Sequence, residues 1–131
     1  MKTAKRFCAA VLLLILLLAL CGCKQNPSQQ QLYAKLLDYF ARQGYTCQLS
    51  SATEDLQVPI YRPQAWRTLT LNGTEQVLVY FDESNRADYL SEGIDTEEYG
   101  YVTRFGLRFV LVYPGQDEGV ISALQAIPTD D

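Results

Sequence analysis

The sequence predicts an α+β protein with an antiparallel sheet of about four to five strands and helices packed on one face. Asn72-Gly73 separates two β-rich runs, a second pair of such runs meets at Gly106, and helical patterns lie before, between and after these pairs. The Asn-Gly pair favours a type I′ hairpin turn, since both residues tolerate positive φ. Hairpins alternating with helices predict the order helix, strand, hairpin, helix, hairpin, helix.

Three helices are expected after the N-terminal segment. The first begins near Ser28, which has capping-box spacing to Gln31, and ends at Gly44. Ser84 is predicted to cap the second helix and Asp117 the third. The inward-facing residues follow helical spacing: Leu32, Leu36, Tyr39 and Phe40, then Ala87, Leu90 and Ile94, then Val120, Leu124 and Ile127.

Five β-rich runs complete the pattern. Residues 51–63 are expected to be irregular, because Pro59 and Pro63 discourage strand pairing, and the acidic segment 95–98 is expected to be a turn or loop. The predicted strands cover residues 45–50, 66–71, 75–81, 99–105 and 107–113.

The first 22 residues have the layout of a secretory signal peptide. A short basic segment precedes an uninterrupted apolar run over residues 9–20. A membrane-spanning helix needs about 20 apolar residues, so this run is too short to span a bilayer. A buried core helix would carry polar residues on one side, and this run carries none. We therefore expect export.

The following residues resemble the lipobox of bacterial lipoproteins, in which a small residue precedes a lipidated cysteine. Cys23 fits best, because Leu20 lies three positions and Gly22 one position before it. Cys21 is the second choice, because it would follow the bulky Leu20. Two acyl chains on one cysteine are enough for stable anchoring, whereas one is not. The resemblance implies a protein held by lipid on the outer face of the bacterial cytoplasmic membrane.

These boundaries define four parts: a signal peptide over residues 1–22, a lipidated tether over 23–31, a single domain over 32–128 and a tail over 129–131. The signal holds three of the eleven basic residues and none of the fifteen acidic ones, so the chain from Cys23 onward carries a net charge of −7. This charge argues against nucleic acid as a partner. Cys47 then has no intramolecular cysteine partner, and its strand-like surroundings favour a half-buried packing role.

Residues 32–127 also resemble a group of small, uncharacterised bacterial lipoproteins and envelope proteins. The matching stretches are Leu71-Asn72-Gly73, Val79-Tyr80-Phe81-Asp82, Ala87, Phe109-Val110-Leu111-Val112-Tyr113 and Asp117-Glu118. The chain departs from the group in its short acidic loop at residues 95–98 and in lacking an aromatic-proline-histidine segment before the last strand. The resemblance implies a fold and a location, and no activity.

The residue types present predict a protein that is not an enzyme. The absence of histidine removes Ser-His and Cys-His nucleophiles and the usual transition-metal ligand. The acidic residues do not follow the spacing of a calcium loop, and the glycines do not follow that of a phosphate loop. A Ser-Lys pair would need Lys24 or Lys35, which lie in the tether and on the polar side of the first helix. No catalytic residue, metal site or cofactor is predicted.

The apolar strands suggest a contact surface. Residues 77–81 and 109–113 are apolar on both faces, which is typical of strands that are covered on both sides. If helices cover only one side, an aromatic face is left for a partner, with arginines around it. The predicted face consists of Trp66, Arg67, Tyr80, Arg104 and Arg108. In the alternative, loop 51–63 folds over this side and the aromatic residues are core.

The expected function is therefore a lipid-anchored, non-catalytic interaction module of the cell envelope, whose partner is an unknown envelope protein. A small-ligand or solute-binding accessory lipoprotein, with a pocket between the sheet and loop 51–63, is the alternative.

Overall fold

A computed structural model of the chain describes residues 28–52, 58–60, 62 and 65–128. The predicted signal peptide, both candidate lipidation cysteines and the tail lie outside these residues. The chain divides into two compact units, residues 1–35 and 36–131. The described part of the first unit is the beginning of helix α1, and the second unit contains the sheet and all other elements.

Helix α1 (Gln29–Arg42) begins as its sequence predicts. The Gln31 amide donates to Ser28 Oγ at 3.3 Å, and the Ser28 amide donates to Gln31 Oε1 at 3.1 Å. This reciprocal pair is the predicted capping box, and it satisfies two of the amides that a helix start leaves open. After the helix, Gly44 adopts a φ of +94°, which glycine tolerates without a steric penalty.

Five antiparallel strands form one sheet in the order β1-β2-β3-β5-β4. Asn72 and Gly73 between β2 and β3 have φ values of 52° and 75°, as a type I′ turn requires. The predicted antiparallel α+β class is thereby confirmed. The strands are β1 (Cys47–Ser51), β2 (Trp66–Leu71), β3 (Glu75–Phe81), β4 (Tyr101–Phe105) and β5 (Phe109–Tyr113).

The register assigns the side chains to two faces of the sheet. Trp66 lies opposite Tyr80, Tyr80 opposite Val110 and Val110 opposite Arg104, so these four residues share one face. Their neighbours along the strands alternate to the other face. We call the first the Trp66 face and the second the Phe105 face.

The helices are divided between the two faces, whereas the sequence predicted all of them on one. Ala87 and Ile94, from the region of helix α2 (Ala87–Glu92), pack in one cluster with Trp66. On the Phe105 face, the ring of Tyr39 from α1 lies 5.8 Å from that of Phe105. Every residue of β5 is buried, so this strand requires cover on both sides.

The last helix, α4 (Glu118–Gln125), joins α1 on the Phe105 face. The Tyr39 hydroxyl donates to the Ala123 carbonyl oxygen at 2.6 Å and so connects the two helices. Asp117 caps α4 as predicted, since its Oδ1 accepts from the Val120 amide at 3.0 Å. Val120, Leu124 and Ile127 are buried, which confirms the predicted inward side.

Two local predictions are corrected. Ser84 does not cap α2; the side chain that stabilises this turn is Asp82, whose Oδ2 accepts from the Arg86 amide at 2.6 Å. Asp82 is buried and directly follows β3, which places its carboxylate at the Arg86 amide. The acidic segment is not a loop but a short helix, α3 (Thr96–Tyr99), which Asp95 caps through the Glu97 amide at 3.0 Å.

Candidate functional site

Two of the residues predicted for a contact face are core residues. Trp66 is 0% and Tyr80 4% exposed, and their ring centroids lie 5.2 Å apart. The Trp66 indole N–H donates to the Ile60 carbonyl oxygen at 2.9 Å, which holds the preceding loop against the ring. Ala52, Val58, Ile60 and Ala65 pack against this cluster. The described residues of loop 51–63 therefore pack on the aromatic side, as the alternative expected; residues 53–57, 61 and 63 lie outside the described part of the chain.

The three predicted arginines do not form a ring around Trp66. Arg67 lies on the Phe105 face because it pairs with Val79, and its Nη1 donates to the Trp66 carbonyl oxygen at 3.1 Å. Arg104 is on the Trp66 face, and its Nη1 donates to the Gly106 carbonyl oxygen at 3.0 Å. Arg108, in the turn after β4, has its guanidinium carbon 6.0 Å from the centroid of the Phe81 ring. Each arginine is half-buried and supports local packing.

A surface groove lies beside the covering loop and is the candidate binding site. It is an open depression with a volume of about 400 Å³, between residues 59–60 and α2. Tyr89 is 73% exposed, and it is the one exposed large hydrophobic residue in the part of the chain that the structure describes. The groove is lined by Pro59, Ile60, Tyr89, Leu90, Glu92, Gly93 and Ile94.

The chemistry of this groove suits an apolar group more than a charged one. Ile60, Leu90 and Ile94 supply aliphatic surface, and Glu92 is its one ionisable carboxyl. An exposed tyrosine adds a large contact area with a polar tip. Tyr89 was not among the predicted site residues, because it lies outside the inward series of Ala87, Leu90 and Ile94. An aromatic residue on the polar side of an amphipathic helix is the signal that could have identified it.

A second cluster joins tyrosines and carboxylates on the other side of the molecule. The Tyr113 hydroxyl donates to Glu75 Oε2 at 2.5 Å and accepts from the Asp117 amide at 3.1 Å. Burial and the hydrogen bond to Glu75 raise the pKa of Tyr113 to about 12. Burial raises the pKa of Tyr45 as well, and the negative charges of Asp117 and Glu75 add to this effect.

These shifts keep both tyrosines protonated at neutral pH, so neither is a base or nucleophile there. The Tyr113 hydroxyl instead connects the start of β3 to the start of α4. We assign the cluster a structural role.

Cys47 is half-buried on β1. Its Sγ lies 3.8 Å from the Leu37 carbonyl oxygen and 3.7 Å from that of Tyr45. Burial raises the pKa of the thiol, so little thiolate is present at neutral pH. This position agrees with the half-buried packing role expected from the sequence.

Within the residues that the structure describes, no group of three or more cysteine, aspartate or glutamate side chains could hold a metal ion. The helices among those residues include none that is long and apolar enough to cross a membrane. Comparison with protein-family models, with curated proteins and with solved structures found no match.

Proposed function

We propose that this chain is a lipid-anchored extracytoplasmic protein that acts through protein contacts in the cell envelope and does not catalyse a reaction. The observation that carries the proposal is the order of its first residues. A basic segment and twelve apolar residues lead directly into Leu20-Cys21-Gly22-Cys23. Cys23 would receive the lipid and begin the mature chain, on the outer face of the cytoplasmic membrane.

The residue types of the domain support a contact role. The chain has no histidine, Cys47 is mostly protonated at neutral pH, and the Tyr113 cluster has a structural explanation. The net charge of −7 also disfavours contact between the domain and anionic lipid headgroups, so that the lipid alone would hold the protein at the membrane. The exposed ring of Tyr89 beside the groove is the proposed place of contact.

The anchor is tested by replacing each candidate cysteine in the full chain. Cys23→Ala should abolish incorporation of labelled fatty acid and move the protein out of the detergent phase, or leave it unprocessed in size. Cys21→Ala should still be lipidated, because the small residue before Cys23 is unchanged. Lipid on Cys23→Ala, together with its loss from Cys21→Ala, would show that Cys21 is the modified residue.

The contact role is tested with a photo-crosslinking amino acid at position 89 in intact cells. A discrete protein adduct is expected at this position. The matched control is Gln125, which is also exposed but lies on α4, away from the groove. Equal adducts at both positions would argue against a specific contact at the groove.

The second candidate function is binding of a small apolar ligand. The groove volume of about 400 Å³ favours it, because ligand sites occupy roughly 300–1,000 Å³ and are mostly apolar. A fluorescent apolar probe distinguishes the two functions. Saturable binding that Leu90→Ser removes, with no protein adduct at position 89, would favour the ligand-binding function over the contact role.

A further inference from the structure

Strand β1 is an outer strand of the sheet, and its pairing with β2 shows which of its backbone groups point outward. Cys47 pairs with Leu71, so the next pair along the ladder is Thr46 with Asn72. The Asn72 amide donates to the Thr46 carbonyl oxygen at 2.9 Å, so this pair is hydrogen-bonded. Hydrogen-bonded pairs alternate along an antiparallel ladder. Residues 46, 48 and 50 therefore direct their N–H and C=O groups toward β2. Cys47, Leu49 and Ser51 direct theirs to the outer edge.

The five residues of β1 include none of the charged residues or prolines that often prevent edge strands from pairing between molecules. Edge strands are commonly protected by charged residues or proline, and β1 reads Cys-Gln-Leu-Ser-Ser. The opposite outer strand, β4, carries Arg104. Among the residues that the structure describes, no strand pairs with the outer side of β1. A recess of about 390 Å³ borders the start of β1, lined by Thr46, Cys47, Gln48, Thr70 and Gly73.

The distribution of charge favours a second copy of this chain as the occupant. The mature chain has a net charge of −7, so most of its surface would repel another copy. Residues 39–53 contain no acidic residue, and their one charged residue, Arg42, forms an ion pair with Asp38 at 2.9 Å. Two copies that approach along β1 therefore bring no acidic residue of this segment against another.

We propose that β1 pairs antiparallel with β1 of a second copy, on a two-fold axis at Leu49. Cys47 then lies opposite Ser51 and Gln48 opposite Ser50, and the outward N–H and C=O groups are exchanged in pairs. The half-buried Leu49 side chains meet at the axis. This register places no two charges opposite each other. The inference rests on the contact role proposed above and names a second copy as one partner.

A contact through one short strand is small and would be weak in dilute solution. Lipid anchoring confines both copies to one surface and raises their effective concentration, which favours such a weak contact. Pairing is therefore expected in membranes.

The register is tested by cysteine cross-linking of the full, lipidated chain in isolated membranes, with Cys47→Ala as the background. In the proposed register positions 48 and 50 form a pair without backbone hydrogen bonds, where the side chains lie closest. Gln48→Cys with Ser50→Cys should give a disulfide-linked dimer on mild oxidation. Gln48→Cys alone should not, since position 48 does not face itself. A dimer from Gln48→Cys alone would overturn the register.

The matched control for crowding places two cysteines on the exposed side of α4, as Glu118→Cys with Gln125→Cys. These should remain monomeric. A dimer yield equal to that of the β1 pair, or no dimer from the β1 pair, would overturn the proposal.

Charge exchange provides an independent test with two differently tagged copies, co-purified in mild detergent. Gln48→Glu with Ser50→Glu puts like charges opposite each other and should lower co-purification about tenfold. When the Gln48→Glu/Ser50→Glu copy is mixed with a Gln48→Lys/Ser50→Lys copy, opposite charges face each other and pairing should be restored. Both positions are exposed, and Trp66 fluorescence reports whether the variants fold. Unchanged co-purification, or no rescue in the mixture, would refute the pairing.

Ser51→Pro tests the backbone contribution. It removes an outward N–H and leaves the hydrogen bonds to β2 in place, so only pairing between copies should fall, about tenfold or more. An unchanged dimer fraction would contradict the outward geometry.

Lipid labelling of the same samples separates this inference from the proposed function. Retained label without a dimer refutes the β1 contact alone. A dimer without label refutes the anchor alone.

Discussion

The hydroxyl of Tyr113 provides the sharpest prediction about stability. It donates to Glu75 Oε2 at 2.5 Å and accepts from the Asp117 amide at 3.1 Å, and the residue is 0% exposed. Tyr113→Phe removes both hydrogen bonds while keeping the ring. One of the two hydrogen bonds is made to the carboxylate of the half-buried Glu75, and bonds to charged groups contribute more than neutral ones, so we expect the free energy of unfolding to fall by about 1–3 kcal/mol at neutral pH.

The effect should depend on pH with a definite sign. The pKa of Tyr113 rises from 10.0 to about 12 on folding, so the folded state holds the phenolic proton more tightly than the unfolded chain. The contribution of this pKa shift to the free energy of unfolding is fully present below about pH 10 and is lost as the pH rises toward 12. A rise of this size corresponds to roughly 2–3 kcal/mol, comparable to the estimate from the hydrogen bonds. The stability difference between wild type and Tyr113→Phe should therefore shrink above pH 10.

The assay is urea unfolding of residues 24–131, followed by fluorescence of Trp66, the single and fully buried tryptophan. Tyr89→Phe is the matched control, because it removes a hydroxyl from an exposed ring and should change stability by less than about 0.5 kcal/mol. If Tyr113→Phe is as stable as this control at pH 7, the hydrogen-bond argument is refuted. If the difference stays constant from pH 9 to 12, the pKa argument is refuted.

Three further predictions concern other parts of the domain. Gly100→Ala should lower the free energy of unfolding by more than about 2 kcal/mol in urea titrations, because a Cβ there would collide with the Tyr113 carbonyl oxygen and the residue has a φ of +106°. Gly93→Ala, at an ordinary φ, should be nearly neutral. Trp66→Phe removes the hydrogen bond to the Ile60 oxygen, so proteolysis should accelerate more around Ile60 than in the strands of the sheet. Alkylation of Cys47 at pH 8 should be slow in the folded protein and rapid in urea, because burial raises the pKa of its thiol; equal rates would contradict this.

Three features that depend on a few neighbouring residues were predicted correctly from the sequence, whereas the Ser84 cap and the loop at residues 95–98 were not. The bonds between Ser28 and Gln31, the positive φ values of Asn72 and Gly73, and the cap from Asp117 all occur where the residue types indicate. Each depends on atoms within three residues along the chain, so spacing alone determines whether they can meet. The order of elements and the antiparallel class follow from the same local signals.

Which segments pack on each face of the sheet was decided by the tertiary structure. The apolar strands indicated burial on both sides, yet the sequence does not tell which segment covers which side. Helices α1 and α4 lie on the Phe105 face, and α2 with the loop before Trp66 lies on the other. For this reason Trp66 and Tyr80 are core residues, although their types also suit a contact surface.

The sequence also does not tell which polar side chains meet when they lie far apart in the chain. Glu75 and Tyr113 are 38 positions apart in the chain and come together because the sheet brings the start of β3 beside the end of β5. Asp82 replaces Ser84 at the turn before α2, because β3 holds its carboxylate at the Arg86 amide. The sequence by itself determined the strands, the three longer helices, the order of these elements and the expectation of a lipid anchor, but not the short helix α3. Only the tertiary structure decided which side chains are buried and which, like Tyr89, remain exposed, because burial depends on contacts between segments far apart in the chain.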